Sequence, residues 1–341
     1  WAAQPILWTA QVGSSLPGAS WAWPVTAAAV TLLAAGCLLL GIVMPWLLRT
    51  RWPAAVLALL MIIGVFRAPA QPGWPPQDWL LVACDVGQGD GLAVRIAERT
   101  AIVIDSGPDP APMRRCLDQL GIRTVPLLIF SHFHADHVGG LEGVLGGRRV
   151  ERIWVSPYAS PVQEAAEVRR RAGALGITVS VPELGADLRL GTAEVQVLGP
   201  IDRAPTPVIS TEGQSAVEND LSLVTMIIVD GVRLLLTGDV EPEEQRQLLA
   251  SGADLRADVL KVPHHGSSRQ DPDFVGASNA RLALASAGED NSYGHPAPRT
   301  MQLLRSDGMT ALCTCDRGSI AVAVDQTRTG SRMEVISQRS P

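Results

Sequence analysis

All six histidines of the 341-residue chain fall in three short clusters. The first is Ser-His-Phe-His-Ala-Asp-His-Val-Gly-Gly, residues 131–140, where His132, His134, Asp136 and His137 share one short stretch. Imidazole nitrogen and carboxylate oxygen together suit borderline divalent cations such as zinc or manganese, and a sharp loop can aim several of them at one point. Histidines placed for packing or pH response would be scattered. The second cluster is His264-His265 in Lys-Val-Pro-His-His-Gly-Ser, and the third is His295 in Tyr-Gly-His-Pro. Asp105 and Asp239 each close an apolar run. This residue set reads as a metal site gathered from distant segments.

The elements that must position these groups are strands. Residues 126–130 form an apolar run directly before the first cluster, and residues 101–104 lead into Asp105-Ser-Gly. Residues 232–236 lead through Thr-Gly to Asp239, and residues 258–263 precede His264. Each run has the length and character of a buried strand. Four strands ending in acidic or imidazole groups make the usual ligand crevice of a layered α/β protein.

The order Asp105, His-x-His-x-Asp-His, Asp239 and late histidines resembles the metallo-β-lactamase superfamily over roughly residues 78–330. That resemblance implies an αββα sandwich, with two mixed sheets face to face, helices outside and metals at one edge. A narrower resemblance rests on Asp85-Val-Gly-Gln-Gly-Asp90, Asn219-Asp-Leu-Ser-Leu-Val224, Lys261-Val-Pro-His-His-Gly-Ser267 and Tyr293-Gly-His-Pro296. Together these are similar to the C-terminal domain of the ComEC family, the membrane channels for DNA uptake in naturally competent bacteria.

The resemblance implies roles by position. His132 and His134 would hold one divalent ion, Asp136 and His137 a second, with Asp239 as the bridge. Two such ions polarise a phosphoryl oxygen, activate a shared water and stabilise the attacking and leaving oxygens. Asp136 would also help hold the nucleophilic water. One late histidine should complete the second set: His264, the first residue past its strand, or His295. His265 or His295 could then protonate the leaving 3′ oxygen. Asp105 is expected to orient a ligand imidazole rather than bind metal.

One position departs from the pattern. Many superfamily members carry a further histidine ligand just before the strand that begins near Ser222, whereas this chain has Glu218-Asn219-Asp220 there. Asn219 or Asp220 is a candidate oxygen substitute, and such an exchange would shift preference toward manganese. The loop Asp85-Val-Gly-Gln-Gly-Asp-Gly91 has three glycines in five residues, which lets backbone amides approach a bound group closely. Gln88 and Gly89 are candidates to meet a substrate phosphate, with Asp85 or Asp90 supporting the metals. Lys261, the only lysine, adjoins the late histidines.

A different chemistry governs the first 77 residues. Residues 23–48 are free of charge, and residues 53–66 form a second apolar run of 14 residues. A bilayer core takes about 20 helical residues, so the first run suffices and the second needs help from Trp52 or a thinner membrane. Eight of nine tryptophans lie at or before Trp79, where an interfacial belt would put them. Arg49 and Arg51 in the intervening hairpin predict a cytoplasmic loop and an external C-terminal domain. The expected organisation is an external loop at 1–22, two transmembrane helices within 23–67 and a linker at 68–77. The metallo-β-lactamase-like domain at 78–335 and a mobile tail at 336–341 complete it. Residues 201–219 read as a polar loop between the halves of the sandwich, and the opening at Trp1 as the start of a fragment. Cys84, Cys313 and Cys315 are read as buried thiols, the last two being too close for an ordinary disulfide.

Residues 1–77 carry three arginines and no acids, which leaves 25 basic and 34 acidic residues, net −9, for the rest. That balance is unfavourable for a domain gripping DNA through a broad basic surface. It admits a nuclease whose metals and a local arginine strip, such as Arg148-Arg149 with Arg152 or Arg169-Arg-Arg171, meet the substrate. The sequence thus predicts a membrane-tethered, two-metal phosphodiesterase with zinc or manganese, acting outside the inner membrane. It would degrade one strand of incoming DNA while contacting lipid, the channel's remaining segments and other competence proteins. The rival readings are a lactonase or β-lactamase on the same fold, and a channel module holding metal only structurally.

Overall fold

A computed structural model describes residues 74–202, 214–327 and 330–339, with the isolated positions Thr31, Ala34, Ala35 and Val56. Apart from those positions, the expected external loop, membrane helices and most of the linker lie outside the described residues. Among the described residues no helix is long and apolar enough to cross a membrane. A compact unit runs from Pro75 to Pro341.

Within it the chain lays down β1 (Trp79–Ala83), β2 (Leu92–Ala97), β3 (Thr100–Ile104), β4 (Thr124–Val125) and β5 (Leu128–Phe130). Then follow β6 (Arg149–Val150), β7 (Arg152–Val155) and β8 (Thr178–Ser180). These eight belong to the first sheet. A second sheet takes β9 (Asp187–Leu190), β10 (Ala193–Gly199), β11 (Val224–Val229), β12 (Val232–Leu236), β13 (Val259–Lys261), β14 (Leu282–Ala285) and β15 (Thr310–Cys313). The chain then returns to the first sheet through β16 (Ile320–Thr327) and β17 (Gly330–Ser337). The first sheet runs β17-β16-β1-β2-β3-β5-β7-β8 with β4 and β6 beside it, and the second runs β15-β14-β13-β12-β11-β10-β9.

The sheets pack face to face. Leu81, Val94 and Ile104 of the first meet Val195, Ile227 and Leu234 of the second in one buried cluster. The opposite face of the second sheet is covered in turn, with Met226, Leu235 and Leu260 packed against Leu248, Phe274 and Leu304 of helices Pro242–Ala250, Pro272–Ser278 and Pro298–Ser306. Strands covered on both sides read as near-continuous apolar runs, which is why β1, β3 and β12 are so hydrophobic. β10, Ala-Glu-Val-Gln-Val-Leu-Gly, instead alternates buried and half-buried positions.

Both sheets send strand ends to the same edge. β3 and β5 are parallel neighbours, as are β12 and β13. The two-residue turn Asp230-Gly231, with φ of 51° and 81°, sets Val229 opposite Val232 and so fixes the register of β12. An Asp-Gly pair accepts this double left-handed geometry at little cost. The register of that turn therefore determines where Asp239 emerges.

Three expectations need correction. Residues Gln214–Asp220 form a helix rather than loop. Strand β17 runs to Ser337, and Gln338 and Arg339 donate backbone hydrogen bonds to Ser319 and Arg317, so the ordered chain passes residue 335. Four of the five cysteines are not free thiols: Cys84 is bonded to Cys116 and Cys313 to Cys315, while Cys37 lies outside the described residues. Cys84 follows β1 and meets helix Pro110–Gln119, a pairing across 32 residues that no local pattern announces.

Candidate metal centre

Asp136, His137, Asp239 and His265 present ligand atoms that all lie within 4.8 Å of one another. His137 and Asp136 come from the short helix Ala135–Val138 after β5, Asp239 from the turn after β12, and His265 from the turn after β13. Asp239 Oδ2 is 3.2 Å from both His137 Nε2 and His265 Nε2, and Asp136 Oδ2 is 3.2 Å from His265 Nε2.

Each imidazole is held by its other nitrogen. His137 Nδ1 faces Asp105 Oδ2 at 2.9 Å, and His265 Nδ1 faces the carbonyl of Ser286 at 3.0 Å. His132 Nδ1 lies between Ser131 Oγ at 3.1 Å and Ser222 Oγ at 3.3 Å. An acceptor at Nδ1 fixes the tautomer that leaves the Nε2 lone pair free for a cation. The Nε2 atoms of His132, His137 and His265 are all buried and all lack a hydrogen-bond partner. Unpaired buried polar atoms are costly, and three of them beside two carboxylates fit a divalent cation. His134 is arranged the other way round. Its Nε2 meets Glu218 Oε2 at 2.6 Å, which leaves Nδ1 as the nitrogen with a free lone pair.

Electrostatics follow from this crowding of carboxylates. Burial would lower the pKa of His137, but Asp239, Asp105 and Asp136 raise it well above the usual value. Burial likewise opposes, and Asp239 and Asp90 then impose, a raised pKa on His265. His132 is driven well down by burial and by His137, so it is neutral and ready to coordinate. Asp239 is held well below the carboxylate range because His265, His137 and Lys261 outweigh its burial. Metal ligands must be deprotonated, so a cation would displace the protons these carboxylates attract.

Close backbone approach builds the pocket around them. A Cβ on Gly89 would sit 2.1 Å from the carbonyl of Asp136, at a φ of 135° that side chains avoid. Asp90 N donates to that same carbonyl at 3.2 Å. The glycine loop therefore grips the turn that carries Asp136 and His137. Gly238, φ 55°, lets Asp239 pass between Ser131 and Ser222, and Ser222 Oγ accepts from Asp239 N at 3.3 Å.

A model of the metallo-beta-lactamase superfamily matches residues 84–271, more than half of the chain. The chain belongs to that superfamily. It is 29% identical over 256 residues to ComE operon protein 3 of Bacillus subtilis, covering 69% of this chain and 32% of that protein. It is 26% identical over 322 residues to competence protein ComA of Neisseria gonorrhoeae, covering 92% of this chain and 41% of that one. The chain thus spans less than half the length of these relatives, both of the ComEC kind that its motifs resemble. Among solved structures, the metallo-beta-lactamase fold protein YhfI of Bacillus subtilis aligns at 13% identity and a TM-score of 0.45, covering 70% of this chain and 96% of that one.

The remaining expected residues divide between the centre and its surroundings. Asp90 is buried and bound to Lys261 Nζ, which also donates to the carbonyl of Gly238 at 2.8 Å and lies 3.4 Å from Asp239 Oδ1. Asp90 and Asp239 keep Lys261 charged despite complete burial. Gln88 and Asn219 line a cleft of about 520 Å³ over the centre, with Asp136, Asp239, His264 and His295. Asp85 points elsewhere, to Arg339 at 2.9 Å, and its amide donates to Ser319 Oγ at 3.0 Å. Asp220 accepts from Glu241 N at 2.8 Å, and burial lifts its carboxyl to about 6. It does not replace the missing histidine.

The late histidines take the opposite places from those the strand end suggested. Both have left-handed backbones, φ 48° for His264 and 53° for His265. That double turn carries His265 into the four-residue cluster and leaves His264 at the rim, 3.4 Å from Glu241 Oε1 and 5.4 Å, ring to ring, from His295. Two further acids take part, Glu218, to which the sequence assigns no role, and Glu241. Glu218 braces His134 and accepts from Ser160 Oγ, while Glu241 receives Asn219 Nδ2 at 3.2 Å and Arg269 at 2.9 Å. The missing histidine before Ser222 was the available signal for Glu218, one residue short of the positions considered.

Proposed function

We propose that this superfamily hydrolase is a metal-dependent phosphodiesterase that degrades one strand of DNA during uptake. The observation that carries the reading is the convergence of Asp136, His137, Asp239 and His265, with three buried Nε2 atoms there, those of His132, His137 and His265, that make no hydrogen bond. His132 and His134 Nδ1 would hold one zinc or manganese ion, Asp136, His137 and His265 the other, and Asp239 would lie between. Such ions supply a polarised phosphoryl oxygen and stabilise the charge that develops on it. The chain's own part is positional. Asp105 and the Ser286 carbonyl fix two imidazoles, and Lys261 engages Asp239 Oδ1 so that Oδ2 faces the cluster. Burial, with His264 and His265, depresses His295 to about 4, so it is neutral at the cleft and holds no acidic proton for the leaving oxygen.

DNA is the favoured substrate because two relatives are named for the ComE operon and for competence. An external location agrees with the Arg49/Arg51 hairpin and with the Cys84–Cys116 disulfide, since disulfides persist in oxidising compartments. The proposed setting is the inner membrane, anchored by helices within residues 23–67. The catalytic unit would lie outside, beside the remaining channel and other competence proteins. The purified chain, loaded with manganese or zinc, should cleave labelled single- or double-stranded DNA and lose that activity with chelator. Turnover of a lactone or β-lactam without any DNA cleavage would instead assign it to another branch of the superfamily.

A further inference from the structure

We infer that Tyr293 is a stacking platform for an unpaired base of the strand being cut, an inference that rests on the DNA reading above. Tyr293 is 71% exposed and is the only exposed aromatic side chain among the described residues. It lines the same cleft as Asp136, Asp239 and His265. Its ring is stacked on His295, 5.9 Å between centroids and 26° between planes. The His295 ring in turn lies 6.5 Å and 31° from that of His265, so three roughly parallel rings lead from solvent to the candidate metal centre.

The loop that carries Tyr293 is held in place. Asn291 Nδ2 donates to the carbonyls of Gly288 at 2.7 Å and His295 at 2.6 Å, and Asn291 Oδ1 accepts from His295 N at 3.0 Å. A loop ordered before binding loses little freedom when a ligand arrives. Charge gives the second argument. The unit beyond residue 77 is strongly acidic, net −9, and carboxylates crowd the cleft, so phosphate attraction is a weak source of affinity. Stacking of a base on an aromatic face needs no basic surface and tolerates any sequence. Bases inside a duplex have both faces covered, so the platform selects a single strand.

The test measures binding apart from cleavage. Fluorescence anisotropy on the full metal-free chain would compare a labelled single-stranded oligonucleotide with an abasic strand of the same length. The wild type should prefer the base-bearing strand roughly ten-fold, Tyr293→Ala should lose that preference, and Tyr293→Trp should keep it. Affinity for the abasic strand should be unchanged in all three, which a merely misfolded variant would not show. In the metal-loaded chain, Tyr293→Ala should raise KM for single-stranded DNA about ten-fold while kcat stays within about two-fold. Equal binding of the two strands by the wild type, or an unaltered preference in Tyr293→Ala, would overturn the inference. A wild type that prefers bases but never hydrolyses DNA would remove the phosphodiesterase reading and leave the platform standing.

Discussion

His264 and His265 are adjacent and share a left-handed backbone, yet they inhabit different chemistry. His265 lies among Asp90, Asp136 and Asp239, fully enclosed, with His137 and Lys261 as the other cationic groups. His264 stands at the rim with Glu241 and His295, partly open to water. Four carboxylates, Asp90, Asp105, Asp136 and Asp239, surround the inner site, and among the described residues only Lys261 balances them permanently. The inner site therefore calls for further positive charge, whereas at the rim Glu241 already has the Arg269 guanidinium at 2.9 Å. A buried charge cluster needs its counter-charge far more than an exposed one does.

The largest effect should come from the carboxylate on which the inner site converges. Asp239→Asn keeps the shape but removes the charge beside His137, His265 and Lys261. Loss of a residue that merely supports a ligand costs about 10–100-fold, so this change should exceed ~100-fold in phosphodiester cleavage. Metal analysis should find the bound cation reduced. Wild-type metal content and rate in Asp239→Asn would remove the distinction between inner site and rim.

Asp105 is next. It accepts from Ser131 N and Ser131 Oγ, both at 2.8 Å, besides facing His137 Nδ1. Asp105→Asn would free the His137 ring without touching any cation directly. Metal affinity, measured by competition with a chelating dye, should fall by about 10–100-fold while the fold persists.

These two positions were readable because each ends an apolar run whose strand character was plain. Asp105 follows β3 and Asp239 the short turn after β12, whose register is set by an Asp-Gly pair visible in the sequence. Alternation along β13 offers no guidance beyond Lys261, because two successive left-handed residues break it, and so His264 and His265 could not be told apart. Asp85 resembled a site residue, but it is tied to Arg339 across 254 positions, a contact that spacing cannot reveal. Glu218 was hidden differently: the pattern called for a ligand there, and the chain supplies an acid that bonds to the ligand instead.

Acid and alkali should act with opposite sign on the raised and the depressed histidines. The raised pKa of His137 and His265 means that metal-free protein gains their full contribution below about pH 6.5, the unfolded value. That contribution is lost as pH rises through the folded values, and a bound cation should flatten the loss. His295, depressed to about 4 by burial and by His264 and His265, behaves the other way. Its contribution is present above about pH 6.5 and lost as pH falls toward 4, on the order of 1 kcal/mol after solvent screening. Urea unfolding of the metal-free chain across this range should show both slopes. His295→Gln should shrink the acid slope, which the depressed His132 shares, and leave the alkaline one unchanged.

The smallest effect tests the rim itself. His264 meets Glu241 at 3.4 Å in a setting where Glu241 keeps Arg269 and Asn219 as partners. A partly exposed pair of this kind is worth about 0.2–1 kcal/mol, so His264→Ala should cost less than about five-fold in cleavage and leave metal content alone. His265→Ala, one residue along the same turn, should lower metal content and suppress cleavage to the degree of the Asp239 variant. Metal analysis and rate measurements on the pair form the sharpest test of the comparison. Should His264→Ala lose the cation while His265→Ala retains it, the ligand is the first histidine past the strand, and the turn must rearrange when metal binds.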